Sequence, residues 1–178
     1  MKNLKIIIAI AVVLIFCSCK FNVAVLKSSE DIIKMKNELK VIKSIRRAMK
    51  YDSLIIKERD GTIKVLACDS VWGIKYMDGT VYRNFEDQYF LLRQNSDIVI
   101  YSQSHGGYKS STTSYYFSKE LNSKIYPLKQ KTIEREFAND TCFLNKLDRE
   151  IKWYQDFTTY DRRQKTYLIV KLLKECKK

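Results

Sequence analysis

Between Ser53 and Lys119 the chain repeats one device, a short alternating run closed by a turn signal, with about ten residues from one run to the next. "SLIIKE" and "IKVLAC" are separated by "RDGT", and within "DSVWGIKYMDGTVYRNF" the pair Asp78-Gly79 again divides two short strands. Asp-Gly is a dipeptide that two-residue hairpin turns favour, because both positions tolerate positive φ. "YFLLR", "DIVIYSQ" and "SYYFSK" continue the series. Parallel strands need crossovers of a dozen residues or more, and the short loops here leave no room for them. The pattern therefore predicts an antiparallel meander of about six short strands. The most irregular stretch inside it is "SHGGYKSSTT", which holds the sole histidine, His105, and reads as a hairpin loop.

On either side the period changes to three and four. Ile32, Met35, Leu39, Ile42, Ile45 and Met49 predict an amphipathic helix over residues 29–50, with Ser29 as N-cap, Glu30 and Asp31 in the first turn, and a basic opposite face. After Pro127, "LKQKTIEREF" and "CFLNKLDREIKWYQDF" are helical in period, the second aligning Phe143, Leu147, Ile151 and Tyr154. "DRRQKTYLIVKLLKECKK" adds a last helix with Tyr167, Val170, Leu172, Leu173 and Cys176 toward the core. Strands followed by helices give an α+β domain, with one N-terminal helix and two or three C-terminal ones.

The chain opens differently. Lys2 and Lys5 precede an uninterrupted apolar run from Ile6 to Phe16. A helix needs roughly 20 apolar residues to cross a bilayer, and this run is shorter, as in the central region of a signal peptide. "FCSC" at 16–19 then resembles a bacterial lipobox, with small Ser18 before Cys19. Simple secretion and an uncleaved anchor are the alternatives. The reading divides the chain into a signal at 1–18 with its lipobox ending at Cys19, a short tether at 19–28 and a single α+β domain at 29–178. Cys19 would carry the lipid and attach the domain to a membrane surface. The sequence after it, "KFNVAVLK", lacks the acidic residues frequent in surface-exposed lipoproteins of the Bacteroidota, which points to the periplasmic face of the outer membrane.

The formal charge of +13 favours encounters with anionic surfaces of any kind and chooses none of them. Export makes nucleic acid an unexpected partner, and leaves the membrane, an envelope protein or a glycan. Once the signal is removed and Cys19 lipidated, Cys68, Cys142 and Cys176 remain. They read either as buried small hydrophobes or, for the last two, as a Cys142–Cys176 bridge.

Chemistry-bearing motifs are sparse. One histidine and dispersed cysteines do not suit a zinc site, so no metal and no cofactor is expected. No Ser has the strained-elbow context of hydrolases, and there is no P-loop or dinucleotide fingerprint. Asp60, Asp69, Asp78, Asp87 and Asp97 include turn positions where Asp caps backbone N–H groups. No residue is assigned a catalytic role.

The most distinctive piece is "SVWGIKYMDGTVYRNF", with Ser70, Trp72, Gly73, Gly79, Tyr82 and Arg83, followed later by Tyr116, Phe117, Ser118 and Lys119. This arrangement resembles one recurring in uncharacterised secreted proteins and lipoproteins of the Bacteroidota, and would cover roughly residues 52–130. The resemblance implies origin and export and carries no assigned activity. From the residues alone, Trp72 and Tyr82 are expected to face each other across the hairpin, Gly73 to admit a bulge or a neighbouring backbone, and Arg83 to pair with Asp69 or Asp87. Trp72, Tyr82, Arg83 and Tyr116 are the candidate binding residues, with a shallow groove floored by Trp72, Tyr82 and Tyr116. The functional expectation is a non-catalytic envelope lipoprotein that contacts a protein or glycan. Its rivals are an immunity or inhibitor lipoprotein that neutralises a toxin, and an envelope hydrolase.

Overall fold

A computed structural model describes residues 23–33, 41–42, 44–48, 53–58, 60–107, 110–151 and 157–177. Its strands are β1 (Val23–Leu26), β2 (Val41–Ile42), β3 (Ser44–Ala48), β4 (Ser53–Lys57), β5 (Ile63–Ala67), β6 (Gly73–Tyr76), β7 (Val81–Phe85), β8 (Gln88–Gln94), β9 (Val99–Gly107), β10 (Ser110–Ser118), β11 (Tyr126–Pro127), β12 (Tyr160–Asp161) and β13 (Thr166–Tyr167). Its helices are α1 (Gln130–Glu136), α2 (Thr141–Glu150) and α3 (Leu168–Cys176).

The expected antiparallel meander is present as consecutive strands β6 to β11. They belong to an eight-stranded sheet in the order β11-β10-β9-β8-β7-β6-β1-β2. Strands β3, β4 and β5 make a second antiparallel sheet, and β12 pairs with β13. Together with the helices this is the α+β class.

Alternation along strands gives the large sheet two faces. Val23, Ile74 and Tyr89 on the first face pack with Ile56 and Leu66 of the small sheet. Farther along the same face, Ile98, Ile100 and Phe117 pack with Ile133, Phe143, Leu147 and the α3 residues Ile169, Val170, Leu172 and Leu173. Phe90, Val99, Tyr101 and Tyr116 occupy the second face, under Leu121 and Ile125 of the loop that leaves β10. Two separate covers thus sit on one face.

The helix expected over 29–50 is a correction. A single 3-10 turn occupies Ser29–Ile32, and β2 and β3 lie where the helix should continue. Asp31 accepts bonds from the N–H groups of Lys27 at 2.7 Å and Ser28 at 3.1 Å, so its polar job is met in that turn. β2 and β3 contain β-branched Val41, Ile42 and Ile45 and pair antiparallel with β1 and β4, so tertiary pairing overrides the three-to-four period there; residues 34–40, 43 and 49–50 of the expected helix lie outside the described residues. Val23–Leu26, inside the expected tether, pairs along its whole length with β6 and so belongs to the sheet.

Most of "SHGGYKSSTT" is strand rather than loop, with Tyr108 and Lys109 outside the described residues. β9 and β10 run nine residues each and pair from Val99–Ser118 out to Gly107–Ser110, with His105 opposite Thr112. Ser104, His105, Thr112 and Thr113 are exposed on both faces of the arm, so no apolar alternation marked it. The β7–β8 turn also escaped notice, because Glu86 and Asp87 adopt φ of 47° and 60° without a glycine or asparagine to signal it.

Three C-terminal helices form within the expected segments, with Phe143, Leu147, Val170, Leu172 and Leu173 buried, but the last is shorter than its periodicity suggests: "DRRQKTY" contributes to the β12–β13 hairpin, the helix begins at Leu168, and Ile151 lies just past the end of α2. The Asp140 side chain caps α2 by accepting from Phe143 N–H at 2.9 Å. Tyr154 lies outside the described residues. A Cys142–Cys176 disulfide joins α2 to α3 with a Cα–Cα separation of 5.8 Å, while Cys68 packs as a buried thiol beside Leu54 and Val71. No helix among the described residues is long and apolar enough to cross a membrane.

Candidate functional site

The four candidate residues divide between the two faces. Register places Tyr82 opposite Ile74 and Leu91, on the first face, while Arg83 is opposite Gly73 and Phe90, on the second. Tyr116 is opposite Tyr101 and joins Arg83 on the second face. A groove floored jointly by Tyr82 and Tyr116 is therefore ruled out by the pleat. The cross-hairpin Trp72–Tyr82 pair is also absent: the Tyr82 ring meets Tyr76 edge-on at 5.7 Å, and Trp72 turns toward Arg83.

Arg83 is buried at 3% exposure, and its guanidinium lies 5.9, 5.2 and 5.8 Å from the rings of Trp72, Phe85 and Tyr101. One amino group donates to the Tyr101 hydroxyl at 3.1 Å and the other to the Ser123 carbonyl at 2.8 Å. Neither Asp69 nor Asp87 is its partner, and among the described residues no carboxylate forms an ion pair with it. Ser118 Oγ donates to the Glu120 carbonyl at 2.6 Å, so the Tyr101 hydroxyl, 3.2 Å from Ser118 Oγ, is the donor in that contact. The proton order runs from Arg83 through Tyr101 and Ser118 to Glu120. Trp72 Nε1 completes the attachment by donating to Asn122 Oδ1 at 2.9 Å. These groups tie the loop after β10 to the sheet, a structural task carried by ring faces and carbonyl dipoles rather than by ion pairing.

Gly73 has the close approach that the sequence suggested. A Cβ there would run into the Tyr82 carbonyl oxygen and lie 3.3 Å from Arg83 Cα. Both neighbours are backbone and cannot rotate away. Gly73→Ala is expected to cost about 1–3 kcal/mol in urea unfolding; an unchanged midpoint would mean the β6–β7 pair opens freely there.

The first face also bears an open cleft of about 500 Å³. Tyr82, Tyr89, Leu91, Ser102 and Ser104 contribute to its walls, with Asp87 at the turn. Tyr82 and Tyr89 are half-buried, so ring surface is available without being loose. Beside the cleft the register shifts between Leu92 and Gln94, and Arg93 Nε donates to Ser102 Oγ at 2.7 Å. Bulges re-aim side chains in this way. Beyond Ser102, Tyr115, Tyr167 and Tyr160 form successive edge-on contacts at 6.2 and 5.0 Å. Burial, with Tyr115 nearby, pushes the Tyr167 phenol above its ordinary range, so it stays protonated.

Of the predicted residues only Tyr82 lies in this cleft. Trp72 borders a different open hollow of about 450 Å³, with Asp69, Glu86 and Asp87. Tyr89, Arg93 and Ser102 were not singled out from sequence; the signal available was the two-residue spacing of Tyr89, Leu91 and Arg93 along β8, while Ser102 of β9 joins them through a register that only the fold reveals. His105 stands exposed on the β9–β10 arm and lines neither of these hollows. Among the described residues no group of three His, Cys, Asp or Glu is arranged to hold a metal ion. Comparison of the chain with protein-family models, curated proteins and solved structures finds no match.

Proposed function

We propose that this protein is a cell-envelope lipoprotein whose folded domain is a non-catalytic contact module, and that the cleft on the first face takes an extended glycan. The cleft carries the reading. Its tyrosine rings offer flat apolar surface for the C–H faces of sugars, and the exposed Ser104 offers a hydroxyl beside them. It is open rather than enclosed, which suits a chain rather than a small enclosed ligand. The Cys142–Cys176 bridge supports an oxidising compartment.

The anchor reading gains a distance. Cys19 stands four residues before β1, a reach of at most about 14 Å. A lipidated Cys19 would hold the β1 end of the sheet close to the bilayer, and would present the cleft at a fixed height above it.

Two measurements test these halves separately. Expressed in a Gram-negative host, the wild-type protein should begin at Cys19 with added acyl mass, and Cys19→Ala should remain unprocessed; a mature start elsewhere would refute the lipobox. On a glycan array the soluble domain should bind oligosaccharides, and Tyr82→Ser should weaken the best of them about tenfold, as loss of a stacking ring does, while shifting stability by no more than about 1 kcal/mol. An array without binding defeats the glycan reading.

A further inference from the structure

Past Arg93 the first face leads to a second hollow, of about 480 Å³, walled by Lys165, Lys171 and Lys174 and floored by Gln94 and Thr166. Its frame is fixed by hydrogen bonds. Gln94 Nε2 donates to Thr166 Oγ1 at 2.7 Å, and Gln94 Oε1 accepts from Tyr167 N–H at 3.0 Å. Asp161 holds the β12–β13 turn by accepting from the N–H groups of Arg163 at 2.8 Å and Gln164 at 3.0 Å. Lys165 ends that turn with φ of 51°, and Lys171 and Lys174 follow at three-residue spacing on one side of α3.

The local charges are unbalanced. Glu175, on the wall, is engaged by Lys146 at 2.7 Å, and Asp97 by Lys177 at 3.1 Å. Asp161 is committed to its turn. Among the described residues, Lys165, Lys171 and Lys174 form no ion pair. Their field reaches the neighbouring acids: the Lys177 bond chiefly holds the Asp97 carboxyl below its usual range, with Lys174 adding to it, and Lys171 adds to what the turn bonds do at Asp161. Three unneutralised cations around one hollow repel each other, and a bound anion relieves that repulsion.

Leu91 in the tyrosine cleft and Gln94 in the lysine hollow are three residues apart on β8, about 10 Å. Arg93 lies between them in sequence and faces Ser102. We propose that the lysine hollow is an acid-reading subsite of the tyrosine cleft, which takes the carboxylate or phosphate group of an acidic glycan lying along β8. This rests on the glycan reading above and narrows it to negatively charged strands. A free anion would need only the lysines; the adjoining aromatic surface is what favours a charged group carried on a sugar chain.

The test is calorimetric titration of the full-length domain after signal removal with tetragalacturonate, with neutral tetragalactose, and with a decaglutamate peptide, following an array that contains uronate-, phosphate- and uncharged oligosaccharides. The variant is Lys165→Gln/Lys171→Gln/Lys174→Gln. Its control, Lys57→Gln/Lys129→Gln/Lys131→Gln, removes equal charge at exposed sites elsewhere. The expected result is that acidic oligosaccharides bind at least about tenfold more tightly than their neutral counterparts. The hollow variant should lose that advantage and the control should keep it, with binding weakened by salt. If neutral sugars bind equally well and the hollow variant changes nothing, the acid subsite is refuted and the cleft survives. If decaglutamate binds as tightly as the acidic sugar, the site reads peptide charge and the glycan assignment falls. If no oligosaccharide binds, both readings fail together.

Discussion

Arg83→Ala should be among the most damaging single changes in the domain, with an expected loss of about 3–5 kcal/mol. The substitution leaves a void bounded by Trp72, Phe85 and Tyr101, and it leaves the Ser123 carbonyl and the Tyr101 oxygen without the donors they have now. At this size of domain the melting temperature should fall by roughly 2–4 °C per kcal/mol. Arg83→Met separates the contributions. Methionine keeps much of the volume and removes a buried charge that carries its own desolvation cost, so it should lose only about half as much. The ligand-binding alternative predicts the reverse, since residues kept for binding are commonly neutral or costly to stability. Equal midpoints for wild type and Arg83→Ala in urea would show that the guanidinium does not secure the loop after β10.

That prediction also shows what could be read from the sequence. "SVWGIKYMDGTVYRNF" was legible as a hairpin because Asp78-Gly79 signals its turn, and Gly79 does adopt φ of 92°. Gly73 was legible as a close approach. The use of Arg83 was not, because its partners are a carbonyl 40 residues away and the Tyr101 phenol, neither of which follows from charge pairing. The same limit explains the face error. Alternation tells which residues share a face within one strand, but relating Tyr82 to Tyr116 requires the registers of β7 to β8, β8 to β9 and β9 to β10 in turn, and a one-residue slip in any of them reverses the answer. The helix over 29–50 failed for a different reason: its three-to-four spacing was real, but strand partners from both sides were invisible in the segment itself. The C-terminal helices were legible because their partners are chiefly one another and the sheet face they cover.

The second large effect should come from the Cys142–Cys176 bridge. Removing it, by reduction or as Cys142→Ala/Cys176→Ala, is expected to cost about 3–4 kcal/mol, the loop-closure entropy for a sequence separation of 34. That figure assumes an unstructured reduced chain, so residual helix in α2 would lower it. The native contacts around the bridge should persist after its loss: Phe143 and Leu147 remain packed on Leu172 and Leu173, and Lys146 still reaches Glu175. The reduced protein should therefore keep its far-UV spectrum at 25 °C and melt earlier, with the denaturant midpoint shifted and the two forms of reduction agreeing. Identical midpoints with and without reductant would mean that the bridge contributes no stability and that its use lies elsewhere. One such use follows from position. The bridge pins the last residue of α3, two residues beyond Lys174, so it also limits the sway of the lysine that edges the acid subsite. If the subsite is as proposed, reduction should weaken acidic-glycan binding more than neutral-glycan binding while the domain is still folded. Stability and ligand selectivity would then respond to the same sulfur–sulfur bond, of a kind that persists chiefly in oxidising compartments.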